Sequence, residues 1–141
     1  MLSDLAIAKF FVGDLGVNPG VFVLTENPPE SERAGIASAF RELAPGVDGE
    51  PVFEPDGFRA RDLIKARARL GEYPIVFGST WEAAVAGDIG APLVEISYPA
   101  TDEVVLARSY VGYRGALQLL ERTYTTVVRQ STEENPETAA L

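Results

Sequence analysis

The sequence predicts an α/β domain: a four-stranded parallel sheet of order 2-1-3-4, with helices on both faces as a three-layer α/β/α sandwich, over residues 1–130. An acidic, disordered tail is expected over residues 131–141. Three observations carry this. Short apolar runs alternate with stretches of helical periodicity in the order α-β-α-β-α-β-α-β-α, which calls for a parallel sheet. Val21–Leu24 and Pro74–Phe77 are continuously apolar, the pattern of strands covered on both faces. The other two strand runs, Pro51–Phe53 and Leu93–Ser97, are short or carry a charge at Glu95, which places them at the edges.

Each element has a local reason. Leu5, Ala8, Val12 and Leu15 recur at helical spacing, and Gly16 supplies the C-terminal stop. The first strand, Val21–Leu24, is bounded by Pro19-Gly20 and by Thr25-Glu26-Asn27. Asn27-Pro28-Pro29-Glu30 then reads as a helix start, with Asn27 as cap and Glu30 at the capping-box position. Ile36, Phe40 and Leu43 mark the inner face of that helix, and Pro45-Gly46 ends it. Asp56 caps the third helix, whose buried side is expected at Leu63, Ala66 and Leu70. Ser79-Thr80-Trp81-Glu82 repeats the capping-box spacing, and Gly90 stops the helix that follows. The last helix, from about Val111 to Gln130, turns Ala116, Leu120, Tyr124 and Val127 to one side.

Composition bounds the chemistry. The chain has 141 residues, no cysteine and no histidine, so it offers no thiolate, disulfide or imidazole. Ser79 has no histidine to activate it, which excludes a serine triad. The net charge of −9 opposes nucleic-acid binding. No apolar run is long enough to span a bilayer, and the first residues lack the basic and apolar regions of a signal peptide, so a cytoplasmic location is expected. Arg59, Arg61, Lys65, Arg67 and Arg69 cluster within the third helix region. They read either as a solvated helix face or as a docking patch for an acidic partner.

In an open parallel sheet, ligands bind beyond the carboxyl ends of the strands where the strand order reverses. For order 2-1-3-4 that place is lined by Thr25, Glu26 and Asn27 on one side and by Gly78, Ser79 and Thr80 on the other. Both loops lead into helix N-termini, which could hold an anion. The plainer reading is a tight turn at Gly78 and a simple cap at Ser79. Glu26, Glu82, Glu95 and Asp102 fall near strand ends and read as acid–base candidates or as solvated charges. Tyr98, Tyr110 and Tyr113 flank the last loop and suit a half-buried or partner-facing surface.

Three segments together resemble a known family. They are Ala8-Lys9-Phe10-Phe11-Val12-Gly13-Asp14-Leu15-Gly16 with the strand after it, Phe77-Gly78-Ser79-Thr80-Trp81-Glu82, and Pro99-Ala100-Thr101-Asp102 followed by Arg108-Ser109-Tyr110-Val111-Gly112-Tyr113-Arg114-Gly115-Ala116. From about Leu5 to Val128 the chain resembles the C-terminal domain of nitrogenase component 1, beta-type subunit. The superfamily also includes the cofactor-scaffold proteins of nitrogenase assembly and light-independent protochlorophyllide reductase.

The resemblance implies a Rossmann-like, chelatase-like domain in a subunit that pairs with an alpha-type partner. It implies iron–sulfur or metal clusters in the parent complex, reduced by an ATP-driven iron protein. The alpha-type subunit carries a histidine ligand in the loop before its last helix; here that loop is Tyr98-Pro99-Ala100-Thr101-Asp102. The cysteines of the bridging cluster lie in the first third of the family's subunit. No cluster ligand therefore transfers to this chain, and by itself it is expected to be inactive. The expected role is structural, at a subunit interface, with self-association as a further expectation. Bare apolar patches are expected around Phe10 and Phe11 and around Trp81, Tyr110 and Tyr113. The alternative is a stand-alone small-molecule or anion-binding module using the Asn27 and Gly78 loops. A hydrolase or isomerase using Glu26 or Glu82 is a third reading.

Overall fold

The computed structural model describes residues 2–43, 51–68, 73–100 and 109–134. The chain forms two compact units, Met1–Leu70 and Gly71–Leu141.

In the N-terminal unit, α1 (Leu2–Ala8) runs into a π-helical turn over Lys9–Asp14. The wider turn shows in the backbone bond from Leu15 N to Phe10 O, 3.0 Å. Gly16 ends it at φ +69°, in the left-handed region where a Cβ is strained. β1 (Phe22–Leu24) follows, then α2 (Glu30–Arg41), β2 (Pro51–Phe53) and α3 (Gly57–Arg67). β1 and β2 pair in parallel with Val23 opposite Val52. The core is Ala8, Val12, Phe40 and Leu43, with Leu5, Phe22, Leu24 and Ile36 packed against it. The helical members are residues whose spacing marks the inner faces of the first two helices, except that Leu15, expected on the same face, is exposed. The Phe22 and Phe40 rings lie 5.0 Å apart. At Gly13 a Cβ would sit 3.0 Å from the Leu43 carbonyl oxygen, a tight approach.

Two local expectations change here. α2 starts at Glu30 with Pro29 as its N-cap and no side-chain cap bond. Asn27 instead accepts a hydrogen bond from Arg33, so its carbonyl is spent on a guanidinium rather than on the helix end. In α3, Asp56 caps as expected, accepting from Phe58 N at 2.9 Å. Its buried residue, however, is Ala60, while Leu63 is half-buried and Ala66 exposed.

In the C-terminal unit, β3 (Val76–Gly78) leads through a 3-10 turn (Thr80–Glu82) into α4 (Ala83–Asp88), then β4 (Leu93–Glu95) and α5 (Gly112–Glu134). β3 and β4 are parallel, with Phe77 opposite Val94. Gly90 ends the α4 turn at φ +65°. Val76, Ala86 and Ala91 form a core cluster with Ile89 and Leu93, and Val94 and Leu119 are fully buried. α5 packs on β4 and is tied to the α4 turn by a bond from Gln130 Nε2 to Gly90 O, 2.9 Å. The helix continues through Ser131–Glu134, where the sequence reading began the tail. The Ser131 and Thr132 hydroxyls donate to the carbonyls of Val127 and Val128, four residues back.

Both units are therefore β-α-β arrangements with parallel strands, and the α/β class holds. The expected four-stranded sheet is not seen among the described residues. Hydrogen bonding gives two two-stranded sheets, β1-β2 and β3-β4. The order 2-1-3-4 needed β1 and β3 as neighbours, on the strength of their apolar runs. Phe22, Val23 and Leu24 are all half-buried, short of the burial that a central strand has on both faces.

Candidate functional site

The loop after β3 is the most organised local structure in the C-terminal unit. Ser79 sits at the N-cap in an extended conformation and its hydroxyl accepts from Trp81 N at 3.2 Å. Glu82 closes the box: its Oε2 accepts from Ser79 N at 2.6 Å and from Ser79 Oγ at 2.8 Å. The Gly78 carbonyl accepts from Ile96 N at 2.8 Å and Ser97 N at 3.1 Å. Thr80 N donates to Pro99 O at 2.8 Å, joining this loop to the one after β4. The polar groups of Gly78, Ser79 and Thr80 thus have partners within the chain. The Glu82 carboxylate occupies the place that an anion at the cap would need. This geometry gives the loop a capping role.

The other half of the expected ligand site lies in the N-terminal unit. Thr25, Glu26 and Asn27 are exposed there. Arg33 holds the end of that loop, donating to Asn27 Oδ1 and to Pro28 O, with its guanidinium 5.4 Å from the centre of the Phe53 ring. The two loops belong to different units.

Glu95 is the residue that sequence reasoning placed least well. It read as an exposed charge on an edge strand, yet it is 7% exposed. Thr80 Oγ1 donates to its Oε1 at 2.7 Å, and Arg122 Nη2 lies 4.0 Å from its Oε2. Arg122 also donates to the Tyr110 hydroxyl at 3.1 Å. A chain of contacts therefore runs Thr80–Glu95–Arg122–Tyr110 between the loop after β3, β4 and the entry to α5. The burial of this carboxylate is compensated by a cation and a hydroxyl. Arg122 was missed. The signal was available: it lies on the same side of α5 as the buried Leu119 and Thr123, an odd place for an unpaired cation.

A cavity of about 270 Å³ opens beside Glu95 and Arg122, walled by Ala83, Ala86, Gly87 and Ala91. It falls below the ~300–1,000 Å³ usual for ligand pockets. Among the described residues no buried side-chain nitrogen or oxygen lacks a partner, so no polar group is left waiting for a ligand there.

The start of α5 explains the Gly112-Tyr113-Arg114-Gly115 segment. Gly112 has φ +72°, the left-handed turn into the helix. At Gly115 a Cβ would lie 2.3 Å from the Tyr110 carbonyl carbon. Only glycine lets the incoming chain lie this close to the first helical turn. That approach brings Tyr110 to Arg122.

The expected interface residues divide. Phe11 is buried and Phe10 half-buried, their rings edge-to-face at 5.3 Å, so the first helix does not present a bare aromatic pair. Phe11 follows the buried Ala8 by three residues, a spacing that places both on one side of a helix. Tyr110 is half-buried. Trp81 is 80% exposed, Tyr98 75% and Tyr113 95%. Asp102, Arg69, Leu70, the Pro45-Gly46 stop and residues 135–141 lie outside the described residues.

The clusters implied by the resemblance find no donors here. The sequence has no cysteine or histidine, and among the described residues no group of carboxylates is placed to hold a metal ion. The residues present do not fit an iron–sulfur cluster. Among the described residues no helix is long and apolar enough to cross a membrane.

Comparison with known proteins agrees with the motifs. The beta chain of the nitrogenase molybdenum-iron protein from Methanothermobacter marburgensis is 40% identical over 72 residues, covering 49% of this chain and 16% of the relative. The corresponding chain of Methanothermobacter thermautotrophicus is 39% identical over 72 residues, with the same coverage. The matched segment is thus a small part of the length of these relatives. No solved structure gives a significant match. The match to the family described as nitrogenase component 1 type oxidoreductase extends over residues 3–128, nearly the whole chain, and the chain belongs to that family.

Proposed function

We propose that this chain serves as the C-terminal, structural and interface-forming part of a beta-type component 1 subunit, holding no cluster ligand itself. Its partner in this reading is an alpha-type subunit, and the clusters are held by other parts of the assembly. The observation that carries the proposal is the exposure of Trp81 and Tyr98 on two loops joined by a backbone hydrogen bond. Large aromatics at 80% and 75% exposure are the anchors that protein interfaces favour. The Thr80–Pro99 backbone bond holds the two loops together and the Ser79 box fixes the first, so the surface is preorganised. The donor set supports the remainder, since a chain without cysteine or histidine leaves cluster binding to other segments.

The order 2-1-3-4 belongs to this reading as the arrangement within the assembled subunit. It requires β1 and β3 to exchange backbone hydrogen bonds, so the amides of Val23 and Phe77 should exchange more slowly after assembly than before.

The test is co-elution of the chain with the alpha-type subunit from the same source. The pair should form a complex, and Trp81→Ser with Tyr98→Ser should weaken it about tenfold or more. Purified alone, the chain should carry no stoichiometric iron and no reductase activity. Iron or activity in the isolated chain would overturn the reading.

A further inference from the structure

The first turn of α3 carries residues that the helix itself does not favour. Asp56 is its N-cap, and three residues on is the position where a glutamate or glutamine closes a capping box. Ser79 and Glu82 complete that box in the C-terminal unit. In α3 the position holds Arg59, and the Asp56 amide donates instead to Glu54 Oε1 at 3.0 Å. The first turn has no acidic residue, so Arg59 and Arg61 lie toward the positive end of the helix dipole, where cations are unfavourable. Lys65 and Arg67, in the last turn, lie at the favourable end. Phe58 is 81% exposed and takes no part in the core of its unit. Among the described residues Arg59 makes no hydrogen bond or ion pair. Neither Phe58 nor Arg59 serves the helix or the core, and the two are adjacent.

Helix geometry gathers these residues. At about 100° per residue, Arg61, Asp62 and Lys65 fall within roughly 60° of Phe58, and Arg59 within roughly 100°. The buried Ala60 lies roughly 160° away. Phe58, Arg59, Asp62 and Lys65 are exposed and Arg61 is half-buried. α3 carries four basic residues and one acidic, on a chain whose net charge is −9. Three of the four cations are arginines, whose forked guanidinium pairs with both oxygens of a carboxylate. The signs choose the occupant. A nucleic acid is repelled by the chain as a whole and would set phosphate against Asp62. A protein surface varies its charge residue by residue. It can meet the arginines with carboxylates, Asp62 with a cation and Phe58 with an apolar recess.

We propose that this face of α3 docks an acidic surface of another protein, with Phe58 as the apolar anchor and Arg59 and Arg61 as the carboxylate-binding groups. It goes beyond the alpha-type pairing, lies in the other unit and uses none of the Trp81–Tyr98 loops, so the two stand or fall separately.

Fluorescence anisotropy of the full chain with a dye-labelled, glutamate-rich peptide carrying a central leucine tests it. Binding should appear below about 500 µM chain and weaken about tenfold between about 50 and 300 mM salt. The same peptide with glutamine for glutamate, and an oligothymidylate of equal charge, should each bind at least about tenfold more weakly. Arg59→Glu should weaken peptide binding about tenfold while leaving the melting temperature unchanged or higher, because glutamate suits the capping-box position. Phe58→Ser should cost about fivefold with the leucine peptide and less than about twofold with serine in place of that leucine. No binding at about 500 µM overturns the proposal. So does an oligothymidylate that binds as tightly as the peptide, or peptide binding that Arg59→Glu or Phe58→Ser leaves untouched. A melting temperature that falls in Arg59→Glu gives Arg59 a structural role and overturns it too.

Discussion

In the N-terminal unit, β1 and β2 pair across α2, and the space beside them is closed by Ala8, Val12, Phe40 and Leu43. In the C-terminal unit, β3 and β4 pair across α4, but closure also takes in a buried carboxylate, Glu95, held by Thr80 and Arg122. The outsides differ too. Phe10 and Phe11 turn partly or fully inward in the first unit, whereas Trp81, Tyr98, Tyr113 and Tyr124 stand out from the second. One β-α-β plan is thus finished in two ways. The first unit is closed by an apolar seal, with Phe58 left 81% exposed at the start of α3. In the second unit a polar tie spans two loops and a helix.

The largest way to break this contrast is Phe40→Ala, which should destabilise the protein by about 4 kcal/mol through loss of a 2%-exposed ring. Amide exchange should speed up in α1, β1 and α2 and not in β3 and β4; equal loss in both units would mean their cores are not separate. Gly115→Ala comes next, at about 3 kcal/mol, because the added methyl meets Tyr110 backbone rather than a side chain that can swing away. It should also release Tyr110 from Arg122, read as an altered tyrosine fluorescence. Arg122→Met should lower stability in urea unfolding by about 2 kcal/mol, leaving Glu95 buried with Thr80 as its remaining support. Adding Glu95→Gln should recover more than half of that loss; no recovery would mean that packing, not charge, is what Arg122 supplies. Ser79→Ala should remove about 1 kcal/mol by opening the capping box. Asn27→Ala, on an exposed loop, should change stability by less than about 0.5 kcal/mol.

The features legible in the sequence are those settled within a few residues. Gly16, Asp56, Ser79 with Glu82, and Gly90 each act on a neighbour close in the chain, and each is where the spacing put it. The Gly112–Gly115 segment was recognisable as a motif, though its reason, the approach of Tyr110 backbone, is visible only in space. The misreadings have both distant and local causes. Glu95 looked like an edge charge because Arg122 lies a loop and half a helix away. Phe11 read as partner-facing, yet it follows the buried Ala8 by three residues, which puts it on the core side. Asn27 looked like a cap because the competing claim of Arg33 on its side chain was not weighed.

The most direct measurement is hydrogen–deuterium exchange of the chain, free and mixed with the alpha-type subunit. Protection confined to the loops carrying Trp81 and Tyr98 is the predicted result, with the N-terminal unit unchanged on its α1 and α2 surfaces. Protection centred on α1 and α2, or no protection at all, would contradict the placing of the alpha-type contact on the second unit.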